Sequence, residues 1–155
     1  MHPHTSPNIK KLLEASDSFC PGILNEIKDY AIFFLDVEGK ILTWNKGCAI
    51  IKQYEAEETI GKFFGFLFTD EDQKIDLPHS ELEITRNEGR YESEAWRKKK
   101  DGSLFWANVL LNAIYDEENN VIGFIKVIKH LTDRKKAEDE LLKKNEQLMN
   151  ATSDY

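Results

Sequence analysis

The sequence contains few of the residues that build covalent or metal-held frameworks. Its 155 residues include two cysteines, Cys20 and Cys48, which lie far apart and lack the C-x-x-C or Cys/His spacing of a zinc site. Neither a disulfide framework nor a metal site is indicated, and we expect reduced thiols in a cytoplasmic protein. No His or carboxylate is tied to Cys48 by a motif, so we predict a small buried thiol rather than a nucleophile.

Long apolar runs and an excess of positive charge are also missing from the sequence. No run of about 18 apolar residues occurs, and residues 1–8 lack the apolar core of a signal peptide. The formal charge of −7 opposes binding to nucleic acid or to an anionic membrane, since both recruit partners rich in Lys and Arg. The length suits one compact domain with tails.

The distribution of apolar and charged residues divides the chain into three parts. Residues 1–22 are predicted to form a tail with a short amphipathic helix, and Pro21-Gly22 breaks the chain after it. Residues 23–131 contain the apolar segments of a folded domain. Residues 132–155 are highly charged, with Ala137, Leu141, Leu148 and Ala151 at the spacing of a short coiled-coil seam.

Within the central part, strand and helix signals alternate. A hairpin is predicted from strands 31–35 and 41–44, followed by a helix 46–54 that Asn45 is suited to cap. A second helix, 80–88, should end at Gly89. Strands 91–99, 104–115 and 121–131 are expected to form two further antiparallel hairpins through Asp101-Gly102 and the acidic loop 116–120.

Four segments in this order resemble the PAS sensory domain. They read FFLDVEGKILTWNKG (33–47), ETIGK (58–62), ELEITRNEGRYESEAWRKKKDGSLFWAN (81–108) and GFIKVIKHLTDRKKAE (123–138). The resemblance, closest to PAS domains of bacterial sensor histidine kinases, implies an α+β fold. It comprises a five-stranded antiparallel sheet with short helices on one face, N-terminal cap helices and a C-terminal coiled-coil signalling helix.

The family register also implies which residues face a ligand pocket between the sheet and the helices. These pocket candidates are Ser93, Ala95, Arg97, Phe105, Ala107, Val109, Phe124, Lys126 and Ile128. Arg97 and Lys126 on that face would be costly if unpaired. They are expected either to pair with an acid such as Glu83 or to receive an anionic ligand.

The resemblance leaves the cofactor open, and each option was tested at its own residues. Blue-light PAS domains carry a flavin-bonding cysteine where this chain has Phe64, and two flavin-contacting asparagines correspond to Arg97 and Ala107, so flavin is not expected. His79 lies near the position of a haem ligand in some family members, but as part of Pro78-His79-Ser80 it also suits an exposed helix start. We expect no cofactor; haem at His79 is the alternative, and a small-molecule ligand stays open.

The opposite face of the predicted sheet is apolar enough to need a cover. It carries Trp96, Trp106, Leu110 and Ile114, which in the family commonly support a dimer. Either Ile23, Leu24 and Ile27 cover this face or a second subunit does. A homodimer is expected, with Leu141 and Leu148 of the two exit helices in contact.

The junction between the last strand and the exit helix departs from the family pattern. PAS domains usually end in D-x-T, and here the triplet is His130-Leu131-Thr132. Thr132 suits a helix N-cap and Asp133 the positive helix end. Protonated His130 would repel Arg134, so a looser or pH-sensitive junction is predicted.

The resulting prediction is a non-catalytic PAS sensor and dimerisation module. It would relay ligand or conformational state through its C-terminal helix to an effector encoded beyond Tyr155, such as a histidine kinase. A ligand-free dimerisation scaffold is the main alternative, and a haem-based gas or redox sensor is the other. The sequence identifies neither the signal nor the output domain.

Overall fold

The computed structural model describes residues 26–153, without the side chains of residues 133–136 and 151–153. Strands are β1 (Tyr30–Leu35), β2 (Arg90–Lys98), β3 (Leu104–Tyr115) and β4 (Val121–His130). Helices are α1 (Lys46–Lys52), α2 (Ala56–Thr59), α3 (Asp70–Lys74), α4 (Leu77–Glu88) and α5 (Thr132–Ser153), and a 3-10 turn spans Phe64–Leu67. The fold is α+β, with the short helices inserted between β1 and β2.

The strands form one antiparallel sheet in the order β1-β4-β3-β2. Strand β3 pairs with both β2 and β4, so the two predicted C-terminal hairpins exist, and β1 adds to the free edge of β4. Alternate residues of β3 are buried, namely Phe105, Ala107, Val109 and Leu111. This period of two marks the sheet face that supports the core.

The predicted fifth strand, residues 41–44, is wrong. Beside β1 this segment forms only an isolated bridge between Leu35 and Ile41. Side chains take the place of its backbone ladder, because the Ile32 N–H donates to Asn45 Oδ1 and the Phe34 N–H donates to Thr43 Oγ1, each over 3.0 Å. The edge amides of β1 are therefore satisfied without a regular strand.

Asn45 also begins α1, as predicted. Its Oδ1 accepts the Cys48 N–H over 2.9 Å, and its Nδ2 donates to the carbonyls of Ile27 and Tyr30. One side chain thus joins the helix start to β1. The Cys48 thiol is buried, as expected, and burial raises its pKa to about 12.

The N-terminal cap helices and the coiled coil of the predicted fold are not supported. Ile23 and Leu24 lie outside the described residues, and Ile27 is not helical. Helix α5 is long, but Leu141 and Leu148 are 60% and 65% exposed, so within the single chain they form no packed seam. Across residues 26–153, no helix is both long and apolar enough to cross a membrane.

Candidate functional site: a buried cluster of charges

The interior between α4 and the sheet contains a carboxylate shared by two cations. Glu81 of α4 is fully buried; its Oε1 accepts from Arg97 Nη2 over 2.9 Å and its Oε2 accepts from Lys126 Nζ over 3.1 Å. Arg97 lies on β2 and Lys126 on β4, and each is only 1% exposed. Both oxygens of Glu81 are thus occupied by charge-assisted hydrogen bonds.

Aromatic rings enclose this cluster. The Lys126 ammonium lies 4.5 Å from the centre of the Phe64 ring and 4.4 Å from that of Phe68, and the Arg97 guanidinium lies 4.4 Å from the same Phe68 ring. Ring faces attract cations, which partly offsets the loss of water around them. Burial is still the dominant effect on Lys126, because it lowers the pKa of that amine to about 8 despite the nearby Glu81.

Lys52 contributes a third buried cation, from the last turn of α1. Its side chain is fully buried, and its Nζ lies 5.6 Å from the centre of the Phe105 ring. Burial first, and then the charges of Lys126 and Arg97, lower the pKa of Lys52 to about 7. Since these charges act on one another, the three cations form one electrostatic site.

The acid in the cluster is Glu81 and not Glu83, the residue that the sequence suggested. Glu83 is exposed and pairs with Arg86 on the surface of α4. The buried face of this helix carries Pro78, Glu81, Leu82 and Thr85, which follow helical spacing. Glu81, Leu82 and Thr85 lie within the predicted helix 80–88, and the observed helix adds Pro78 by beginning at Leu77.

Lys52 was not among the predicted site residues. It follows Cys48 by one helical turn, and together with Gly47 and Ile51 these residues form the buried face of α1. A charged residue on an otherwise apolar helix face was the available signal. Lysine is rarely buried without a partner, so burial of Lys52 was not predicted.

The other pocket candidates lie around this cluster on the inner face of the sheet. Phe105, Ala107, Val109, Phe124 and Ile128 are buried, whereas Ser93 and Ala95 on the edge strand β2 are half-buried. Near them an open groove of about 470 Å³ is lined in part by Asp72, Ala95 and Trp96. Asp72 Oδ2 lies 3.6 Å from Arg97 Nη1, so it connects the groove to the buried charges.

His79, the candidate haem ligand, lies on the surface. Its Nδ1 is 2.6 Å from Asp76 Oδ1, and its ring stacks on that of Phe63. The position that bonds flavin in blue-light family members holds the fully buried Phe64. Among the described residues, no group of three His, Cys, Asp or Glu side chains is placed to hold a metal ion.

The outer face of the sheet carries the predicted dimer residues. Trp96 is 44% exposed and its ring meets that of Trp106 edge to face, with 5.1 Å between ring centres. Leu110 and Ile114 are half-buried on the same strand as Trp106. A tryptophan pair with one exposed and one half-buried ring is typical of interaction surfaces.

The junction with α5 is tied to the centre of the sheet. The Leu131 N–H donates to the Trp106 carbonyl over 2.7 Å, and the Trp106 N–H donates to Thr132 Oγ1 over 3.1 Å. His130 stacks on Phe105, and its Nδ1 accepts the Thr132 N–H over 3.3 Å. The side chains of Asp133 and Arg134 lie outside the described residues, so the pH-sensitive junction stays a prediction.

The sequence of this chain is similar to two curated proteins over about three quarters of its length. Over 116 residues the chain is 48% identical to two-component system protein A of Emericella nidulans, a match over 75% of this chain and 17% of that protein. It is 26% identical over 117 residues to sporulation kinase C of Bacillus subtilis, covering 76% of this chain and 27% of that protein. The chain therefore spans less than a third of either relative.

Comparisons with solved structures and with family profiles identify the fold and the family. The fold superposes on the crystal structure of the PAS domain of a protein from Colwellia psychrerythraea with a TM-score of 0.65, at 23% identity, covering 81% of this chain and 98% of that domain. The profile of a PAS domain family matches residues 29–133. The two relatives are named as a two-component system protein and as a sporulation kinase. The chain belongs to the PAS domain family.

Proposed function

We propose that this chain is a cytoplasmic PAS sensory and dimerisation module that passes its state through α5 to an effector such as a histidine kinase. The PAS domain then occupies residues 23–131, after a tail of residues 1–22, and residues 132–155 form the signalling helix. The module performs no catalysis itself. The relatives named as a two-component protein and a sporulation kinase support the kinase output.

The bonded junction at Trp106 and Thr132 carries this proposal. Trp106 is in β3, whose neighbour Phe105 faces the buried cations, while Thr132 is the first residue of α5. A change in the interior that moves β3 would therefore alter the start of α5 through two hydrogen bonds. Signal transfer requires such an element with contacts to both the sensing site and the output.

Thr132→Val should uncouple α5 from the sheet. The isosteric change removes the oxygen that accepts the Trp106 N–H, and such a lost bond is worth about 1 kcal/mol. We expect amide hydrogen exchange in residues 132–153 to become severalfold faster. When this chain is joined to the catalytic region of a histidine kinase, the autophosphorylation rate of the Thr132→Val chimera should differ from that of the wild-type chimera.

Thr132→Ser is the matched control, since it keeps the hydroxyl oxygen. It should leave both exchange and autophosphorylation near those of the wild type. Equal behaviour of the Val and Ser variants in both assays would refute the proposed route.

The tryptophan face is the proposed homodimer interface. Trp96→Glu introduces a charge into this exposed apolar surface, and a buried unpaired charge opposes association. Light scattering should report twice the chain mass of 18.0 kDa for the wild type and a single chain for the variant. Ile75→Glu alters an apolar residue beyond α3 that is even more exposed than Trp96, and this variant should stay dimeric. A monomeric wild type would rule out this interface.

A ligand-free scaffold is the second candidate function. Phe64, Phe68 and Phe105 are 0–1% exposed and pack around the charges, so the interior resembles a filled core. A planar cofactor such as haem or flavin would have to displace these rings. This packing favours a scaffold or a very small ligand over a large cofactor.

A further inference from the structure

Two buried nitrogen atoms in the charge cluster have no hydrogen-bond partner. Across the described part of the chain, Lys52 Nζ and Arg97 Nε are the buried side-chain polar atoms in this condition. Buried polar groups in folded proteins are nearly always bonded, and an exception calls for a ligand, an ion or a functional reason. Both atoms are donors when protonated, so their missing partner is an acceptor.

The charges in the cluster indicate that the missing acceptor is negatively charged. Lys52, Arg97 and Lys126 are buried, but Glu81 is the single fully buried carboxylate among the described residues. Both Glu81 oxygens are committed to Arg97 and Lys126. Asp72 reaches Arg97 from the groove at 3.6 Å, and no acidic group is within salt-bridge distance of Lys52 among the described residues. When Lys52 is protonated, the three cations exceed Glu81 and Asp72 by one positive charge.

We propose that this cluster binds one small monovalent anion, a halide or a short carboxylate, with Lys52 Nζ and Arg97 Nε as its donors. The inference rests on the proposed sensory function, because it makes the anion the signal that the module detects. An anion at this place would neutralise the excess charge and satisfy both donors. Its small size follows from the packed rings of Phe64, Phe68 and Phe105.

The proposed route to the site is the groove at the edge of β2, which meets the cluster at the contact between Asp72 and Arg97. Asp72 lines it and has a side chain 26% exposed, while its partner Arg97 is 1% exposed. A rotation of Asp72 away from Arg97 would open the guanidinium to the groove. The contact between them is long for an ion pair, so this movement breaks no short hydrogen bond.

Anion binding and protonation of Lys52 are coupled. The free amine has a pKa of about 7, mainly through burial, and a bound anion raises that pKa because it favours the ammonium form. Only the charged form attracts the anion, so apparent affinity should fall about tenfold for each pH unit above 7. The groups that act on Lys52 or line its surroundings are Cys48, Asp72, Glu81, Arg97, Lys99, Lys126 and His130.

The Cys48 thiol has its pKa raised to about 12 and stays neutral over the range that matters. The pKa of Lys126 is lowered to about 8, so loss of its charge weakens binding further at higher pH. The direction of the expected pH dependence is therefore the same for both lysines: binding is strongest below pH 7 and declines as the pH rises.

The test measures thermal unfolding of the chain in sodium chloride, sodium formate and sodium gluconate at equal ionic strength, at pH 6 and pH 9. Gluconate is too large for the site and reports screening alone. A ligand of the folded state raises Tm with its concentration. Chloride or formate should raise the Tm of the wild type above the gluconate value at pH 6 and much less at pH 9.

Lys52→Met removes the donor and replaces it with an unbranched apolar side chain one atom shorter, so the protein is expected to fold. This variant should lose the anion-specific rise in Tm. Lys40→Met alters an exposed lysine that pairs with Glu38, and this variant should keep the anion-specific rise in Tm. A response to chloride alone or to formate alone identifies which anion fits.

Equal Tm values in all three salts for the wild type, or an unchanged response in Lys52→Met, would overturn the anion site. That failure is distinct from failure of the sensory proposal, which is decided by autophosphorylation of the Thr132 variants.

Discussion

Replacing Glu81 with Gln is expected to lower the free energy of unfolding by about 3–5 kcal/mol, the cost of leaving buried charges without their partner. Glutamine keeps the size of the side chain but removes the single buried negative charge of the cluster. Arg97 and Lys126 then lose their shared counter-charge in a site that water does not reach. Urea unfolding of the two proteins at pH 7 measures the difference.

Glu83→Gln provides a control in the same helix. Glu83 is exposed, and its surface pair with Arg86 is worth less than about 1 kcal/mol. A similar, small loss in both variants would show that the buried pairs contribute little.

The pH dependence of the stability difference adds a second criterion. Lys126 can release its proton whereas Arg97 cannot, and without Glu81, which raises the pKa of Lys126, this release occurs at a lower pH than in the wild type. The deficit of the Glu81 variant should therefore shrink as the pH rises towards 8 and stay constant above it.

The strands after residue 90 were well specified by the sequence. The predicted strands are Tyr91 to Lys99, Leu104 to Tyr115 and Val121 to Leu131. The second has the observed ends, and the ends of the other two differ from the observed ones by at most one residue. Two strong local signals coincide there: alternation of buried side chains and turn residues such as Asp101-Gly102. Where the side-chain alternation and the turn residues agree, the pairing register of the strands and the face that packs on the core can both be predicted from the sequence.

The charge cluster was only half predictable. Arg97 and Lys126 were placed on the inner face by strand alternation, which has no ambiguity once one residue is fixed. Glu81 and Lys52 belong to helices that were predicted, but their sequences left open which helix face packs against the core. Their burial depends on where α4 and α1 dock, which is a tertiary property that local patterns do not contain.

The lost fifth strand has a similar cause. Residues 41–44 are mostly apolar, as in a strand, yet Thr43 and Asn45 bind the edge of β1 with their side chains. Short polar side chains compete with backbone pairing in this way, and composition alone does not reveal which will win.

Gly47→Ala should destabilise the protein by about 3 kcal/mol, at the upper end of overpacking effects. A Cβ at this position would lie 1.8 Å from the Tyr30 carbonyl oxygen and 3.0 Å from that of Ile27. Both obstacles are backbone atoms of the segment against which α1 packs, so no side chain can turn aside. Alanine favours a helix over glycine by about 1 kcal/mol, which is too little to offset the clash. Thermal and urea unfolding measure the loss.

Gly61→Ala separates crowding from backbone strain. Gly61 has a φ of +89° and open space around its Cβ position, so its variant should lose only about 1–2 kcal/mol. A Gly47 variant as stable as the wild type would mean that α1 does not approach β1 this closely.

The Gly47 substitution also affects the charge cluster. Helix α1 carries Lys52 in its last turn, so a displaced α1 moves the donor away from Arg97 and Lys126. The anion-specific rise in Tm should therefore weaken in Gly47→Ala and persist in Gly61→Ala.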